Sequence, residues 1–248
     1  MNTARHSWNE PIRTLIYAIL IALLFRSFVF EPFHIPSGSM KDTLLIGDYI
    51  FVSKYSYGYS RYSFPYGLPL FEGRVMQSAP ARGDVVVFRP PNQPRVDFIK
   101  RVMGLPGDRV QVRGGEVYIN DEKLPQVLDS SFDDALDDGT KVHARRYVET
   151  LPEGKKHAIL DITPYGKLDN TDVYTVPEGH YFMMGDNRDN SEDSRVSLEE
   201  GGIGFIPEAN IIGRAEIIVF SVGDNAQFWQ FWKWPTAIRV GRFLTWVN

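Results

Sequence analysis

Two hydroxyl side chains, Ser37 and Ser39, flank a glycine in the stretch Ile35-Pro36-Ser37-Gly38-Ser39-Met40. Pro36 fixes its own φ and biases Ile35 towards extended backbone. Gly38 permits a tight or left-handed bend beside Ser39. A hydroxyl on such a bend attacks a carbonyl when a base lies within hydrogen-bonding reach. The same residues also read as an ordinary Ser/Gly/Pro turn, and the hexapeptide alone does not separate the two.

The choice of base is narrowed by what the chain lacks. It has no cysteine, which excludes disulfides and thiolate nucleophiles. Its histidines (His6, His34, His143, His157 and His180) are scattered with no pair at H-x-x-x-H spacing, so a zinc site has no local signature. There is no G-x-S-x-G elbow, no Walker lysine and no G-x-G-x-x-G loop. The acidic run from Asp186 resembles a calcium loop, but an EF-hand register needs Gly at the sixth position, where Ser191 stands; only an irregular calcium loop stays open.

A serine–lysine pair survives. Lysine accepts a proton only when neutral, and half-deprotonation at pH 7 requires its pKa to fall by about 3.4 from roughly 10.4, equivalent to about 4–5 kcal/mol. Burial among apolar groups supplies that much. Lys100 lies between Phe98-Ile99 and Val102-Met103 in a strand pattern, with Arg101 expected on the opposite face, where an acid could hold it. A solvated edge lysine is the alternative.

These residues need an anchor and a scaffold. Residues 12–33 (IRTLIYAILIALLFRSFVFEPF) are apolar enough and long enough to cross a bilayer as a helix. Arg5 and Arg13 lie on the N-terminal side and Glu31 beyond it, which keeps the N-terminus cytoplasmic and places the rest outside. Arg26 is expected to snorkel to the interface. A cleaved secretory signal is the rival reading, but the run exceeds the usual h-region of about 7–15 residues and Arg26 interrupts it.

Beyond the anchor, strands are expected after Gly47-Asp48, at Val85–Phe88, at Val96–Met103, in a hairpin over residues 109–120 turned by Gly114-Gly115, at Tyr174–Met184 and at Ile211–Ser221. Residues 55–75 read as a long aromatic loop, and residues 126–172 as a polar, acidic insertion or small subdomain. The aromatic segment Phe228–Pro235 reads equally as membrane contact or as core packing. Short strands with Gly/Pro turns predict a mostly β, antiparallel ectodomain. Its parts are a cytoplasmic N-terminus (1–11), a transmembrane helix (12–32) and a catalytic β domain (33–125 and 173–248) around the insertion. A net charge of −4 without a long basic run argues against nucleic acid as a partner.

The motifs IPSGSM, RGDVVVF, DFIKRVMGLPGD and YFMMGDNRDNSEDSR, in this order after an N-terminal anchor, resemble bacterial type I signal peptidase (leader peptidase). The similar segments cover roughly half the chain (residues 33–54, 82–113, 176–195 and 205–221), and their combination is far more specific than any one. The resemblance implies a β-rich periplasmic domain on the inner membrane, with a Ser–Lys dyad and no metal or cofactor. It implies that Ser39 is the nucleophile, Lys100 the general base, Ser37 with the Ser39 N–H the oxyanion hole, and Ser191 the residue that orients the lysine. Asp186 with Arg101 and Asp193 with Arg195 would be structural ion pairs. Phe33, Ile35, Leu44, Phe98 and Ile99 would line pockets for small substrate side chains. The partners implied are secretory preproteins bound as an extended strand, membrane lipid and the secretion translocon. A Ser–Lys self-cleaving regulator and a non-enzymatic anchored adaptor are the rival functions.

Overall fold

A computed structural model of the chain describes residues 9–64, 67, 72–136, 139–163, 165–223 and 230–247. The apolar run forms helix α1 (Asn9–Phe28). Its side chains are exposed from residue 10 to residue 26, and it is long and apolar enough to cross a membrane. A helix apolar on every side and unburied by its own protein is suited to lipid rather than to a core. The helix stops at Phe28, short of the expected residue 32. Pro32 has no N–H to donate to the Phe28 carbonyl and its ring crowds that carbonyl, so after Val29 the chain runs as strand β1 (Phe30–His34).

Arg26 does not simply snorkel. Its Nε donates to Glu31 Oε1 at 2.8 Å, and the other oxygen of Glu31 lies 2.5 Å from Nζ of the wholly buried Lys54. One carboxylate thus joins the last turn of the helix to the sheet.

The sheet region continues with β2 (Asp48–Ser53), β3 (Val85–Phe88), β4 (Phe98–Gly104), β5 (Arg109–Arg113), β6 (Glu116–Ile119) and β7 (Glu122–Lys123). It goes on with β8 (Gln126–Ala135), β9 (Lys141–Thr150), β10 (Lys156–Asp161), β11 (Tyr174–Thr175), β12 (His180–Met184), β13 (Ile206–Pro207), β14 (Ile211–Ser221) and β15 (Thr245–Trp246). The largest sheet has the order β1-β2-β14-β3-β4-β12-β13, with β15 added on β14. Its pairings are antiparallel. The mostly β, antiparallel architecture is as the strand patterns indicate.

All four residues of β3 are buried, as a continuous Val-Val-Val-Phe run in a central strand requires. Beneath β1, β2 and β14 lies a core of Ile35, Met40, Leu44, Ile50, Val52 and Ile218. The β5–β6 hairpin turns through Gly114 (φ +57°) and Gly115 (φ +80°), the paired positive φ values of a two-residue type I′ turn.

The polar stretch is a separate three-stranded sheet, β10-β9-β8. It occupies residues 126–161 rather than 126–172. Residues 169–171 instead pack on the β5–β6 hairpin, where Thr171 N–H donates to Val112 O at 3.0 Å and Gly115 N–H to Asp169 O at 3.0 Å. In the aromatic C-terminal segment, Phe228 and Trp229 lie outside the described residues. Trp234 packs on Phe220 (ring centroids 5.4 Å apart), whereas Phe231 and Trp232 are exposed.

Candidate active site

Ser39 sits on the turn between β1 and β2, closed by Lys41 N–H donating to Gly38 O (3.0 Å). Lys100 lies on β4, paired through the ladder with Val86. The fold brings the two together. Lys100 Nζ donates to Ser39 Oγ at 2.7 Å and to the Ile99 carbonyl at 3.1 Å, with the Phe98 ring 5.5 Å from Nζ. Both residues are buried, Ser39 at 7% exposure and Lys100 at 3%.

Burial pushes the Lys100 ammonium down to about 8, against the opposing pull of Asp193, Glu192 and Asp186. None of these makes an ion pair with it. At pH 7 a lysine of that pKa is neutral about one tenth of the time, several hundred times the fraction for a solvated lysine.

Arg101 leaves the strand on the other face. Its Nε and Nη2 donate to the two oxygens of Asp186 at 2.8 and 2.7 Å, in a bidentate pair that is wholly buried. Burial alone would raise the Asp186 carboxyl; the Arg101 guanidinium overrides it and holds it below the usual carboxylate range. Asp193 is likewise pushed up by burial and brought lower by Arg195, whose Nε lies 2.9 Å away.

Above the serine and lysine opens a groove of about 640 Å³. Pro36, Ser37 and Ser39 form one side, Val96–Lys100 another, and Asp189–Glu192 with Val196 the end. Ser37, Phe98, Ile99 and Ser191 therefore stand where a peptide would meet them. Three of the expected pocket residues do not. Ile35 and Leu44 are buried in the core beneath the turn that carries Ser39. Phe33 is half-buried against that core, as Ile99 is, but unlike Ile99 does not line the groove.

Ser191 Oγ is buried at the end of the groove, on the side of Asp193, whose carboxyl it helps to hold low; the two hydrogen bonds of Lys100 go to Ser39 and to the Ile99 carbonyl. Close approach explains why residue 185 is glycine: an added Cβ would meet Ser191 Oγ at 2.2 Å and the Ser39 carbonyl oxygen at 2.6 Å.

Two site residues escape the sequence reading. Asn187 N–H donates to Ser39 O at 3.1 Å, and its Nδ2 donates to Gly38 O at 3.1 Å. Its place inside the run that resembles the family was a usable signal. Thr43 Oγ1 donates to Asp186 Oδ2 at 2.5 Å; nothing in the sequence marks a contact between residues 143 positions apart.

The model of the family described as "Signal peptidase, peptidase S26" matches residues 8–220. Signal peptidase I of Rickettsia conorii is 45% identical over 227 residues, covering 88% of this chain and 80% of its own. That of Rickettsia typhi is 47% identical over 233 residues, covering 89% and 85%. A crystal structure of a signal peptidase I from Enterococcus faecalis has 26% identity and a TM-score of 0.32, over 55% of this chain and 97% of that one; the fold rests on the strand pairing, not on that score. With its buried serine–lysine contact, one helix apolar and long enough to span a membrane among the described residues and relatives matched over most of their length, the chain belongs to the signal peptidase family, peptidase S26, enzymes that cleave signal peptides.

Proposed function

We propose that the chain removes signal peptides by a Ser–Lys dyad acting through an acyl-enzyme. The observation that carries this is the 2.7 Å contact between Lys100 Nζ and Ser39 Oγ, made by a lysine that burial has brought to about 8. Neutral Lys100 takes the Ser39 proton as Oγ attacks the scissile carbonyl. The carbonyl oxygen becomes an oxyanion held by the Ser39 N–H and the Ser37 hydroxyl, donors worth about 10²–10³-fold each. Collapse breaks the C–N bond, and Lys100 passes its proton to the leaving amine. Neutral Lys100 then takes a proton from water as its oxygen attacks the acyl carbon; the ester C–Oγ bond breaks, and Lys100 returns the proton to Ser39 Oγ.

The substrate runs as an extended strand between the backbone near residues 33–37 and that near residues 96–99. In support, β12 pairs with β4 only from Arg101 onward, so that edge of residues 98–100 has no strand beside it. Phe98 and Ile99 line the groove and favour small side chains at the −1 and −3 positions. Helix α1 holds the β domain at the outer face of the bacterial inner membrane, where lipid and the translocon deliver preproteins. Family membership and an exposed apolar helix favour this over a self-cleaving regulator or an adaptor.

The test is cleavage of a purified preprotein by the full-length protein. Ser39→Ala and Lys100→Ala should each abolish turnover while leaving the fold intact, and a bulky residue at −1 should block the wild type. Retained turnover in either variant refutes the dyad.

A further inference from the structure

The three-stranded insertion holds the nucleophile turn from two directions. On the outgoing side, the residues just after Ser39 are gripped by side chains of the insertion. Lys41 Nζ donates to Asp134 Oδ1 of β8 at 2.6 Å, and Arg146 Nε of β9 donates to Asp42 Oδ1 at 2.9 Å. Asp42 sits at φ +86°, a conformation that non-glycine residues rarely keep without outside support.

On the incoming side the link is backbone. Leu160 of β10 bridges in parallel to Asn187, with Leu160 N–H donating to Asp186 O (2.8 Å) and Arg188 N–H returning to Leu160 O (2.9 Å). Asn187, so held, donates to the Gly38 and Ser39 carbonyls. A buried pair fastens the same loop to β9, where Arg188 Nη1 donates to Glu149 Oε1 at 3.0 Å. The peptide planes on both sides of Ser39 are therefore set by contacts that start in the insertion.

We propose that this sheet is a splint for the nucleophile, with Arg146 and Asp134 as positioning residues that fix Ser39 Oγ and the Ser39 N–H relative to Lys100 and the substrate carbonyl. The proposal rests on the Ser–Lys reading above and adds to it a task for residues 126–161. A displacement of about 1 Å at a reacting atom costs on the order of 100-fold in rate, so loosening one grip should slow acylation without weakening substrate binding.

The experiment uses the full-length enzyme and a purified preprotein. Arg146→Ala and Asp42→Asn should each lower kcat about tenfold or more with KM within about twofold. Arg146→Lys, which keeps the charge, should recover most of the loss. The double variant should be no slower than the slower single, since the two residues make one contact. Arg146 also pairs with Asp129 within its own sheet, and Asp129→Ala should leave kcat unchanged. Asp134→Asn tests the second grip, independently of Arg146, with the same split expected.

Wild-type kcat in Arg146→Ala and Asp134→Asn overturns the splint, as does a double variant whose loss is the product of the singles. Ser39→Ala and Lys100→Ala are assayed beside them. If those stay inactive while the insertion variants run at full speed, the splint fails and the dyad stands; if those turn over, the dyad itself fails.

Discussion

Lys100 and Arg101 are neighbours on β4 that leave the strand on opposite faces, and only Arg101 meets a carboxylate. Arg101 forms a bidentate pair with Asp186; Lys100 finds a hydroxyl and a carbonyl oxygen. Two adjacent cations are thus assigned opposite tasks by the alternation of the strand. One braces the loop through Asp186, and the other meets no carboxylate that would hold its proton.

The pH dependence follows from the second of these. In the proposed dyad the base works as a neutral amine, so kcat/KM should rise as pH rises through about 8 and level off above it, with about one tenth of the maximum at pH 7. Initial rates on a preprotein between pH 6 and 10 give the profile. Lys100→Arg, which cannot deprotonate, should lose on the order of 10³-fold or more at every pH; a rate that is flat with pH would remove Lys100 as the base.

The same burial makes Lys100 a burden on the fold. A lysine lowered from 10.5 to about 8 in the folded chain destabilises it by about 3 kcal/mol at neutral pH, at about 1.4 kcal/mol per pH unit. Between those two values the unfolded chain binds the extra proton, so the penalty fades as pH rises towards 10.5. Lys100→Met should therefore be inactive yet more stable in urea at pH 7, by up to about 3 kcal/mol, with the advantage shrinking from pH 8 to pH 10.

The bracing pair should behave in the opposite manner. Removing one partner of a buried pair strands the other charge, so Asp186→Ala should cost about 3–5 kcal/mol, read as a lower urea midpoint. Asp186 and Asp193 are both held below the usual carboxylate range in the folded chain. Their stabilisation is thus complete above about pH 4 and is lost as pH falls through the folded values. Acid unfolding of the wild type should move to higher pH in Arg195→Ala.

Gly185 supplies a steric test. A methyl group there would press on the Ser39 carbonyl oxygen and on Ser191, and backbone cannot swing aside as a side chain can. Gly185→Ala should cut kcat on the order of 100-fold by shifting the nucleophile turn, while Gly114→Ala, in a remote hairpin turn with open space around it, should leave kcat unchanged.

Much of this was legible in the chain because it is written locally. The buried run Val85–Phe88 and the Gly114-Gly115 hairpin each carry their own period or turn chemistry. The Ser39–Lys100 pair was reached by elimination and became specific through resemblance, since no local rule brings together residues 61 positions apart. What stayed hidden was side-chain direction at a folded-over turn. Phe33, Ile35 and Leu44 are apolar beside Ser39, which suits pocket and core alike, and only the packing of Met40 and Ile50 with Ile35 and Leu44 assigns those two to the core and leaves Phe33 at its edge. The end of α1 was misplaced because apolar content continues through Phe33, while the stop is set by Pro32.

The short path from α1 to Ser39 has a consequence for selection among possible targets. A single residue, Val29, separates the helix from β1, and Glu31 ties the junction to Lys54 on the sheet side. The turn that carries Ser39 is therefore tethered close to the end of the apolar helix, and even fully extended chain could carry Ser39 only about 40 Å from it. A lipid-embedded segment therefore presents its cut point to Ser39 only if that point lies within the same reach of the bilayer, so the tether length bounds the spacing between an embedded stretch and its scissile bond.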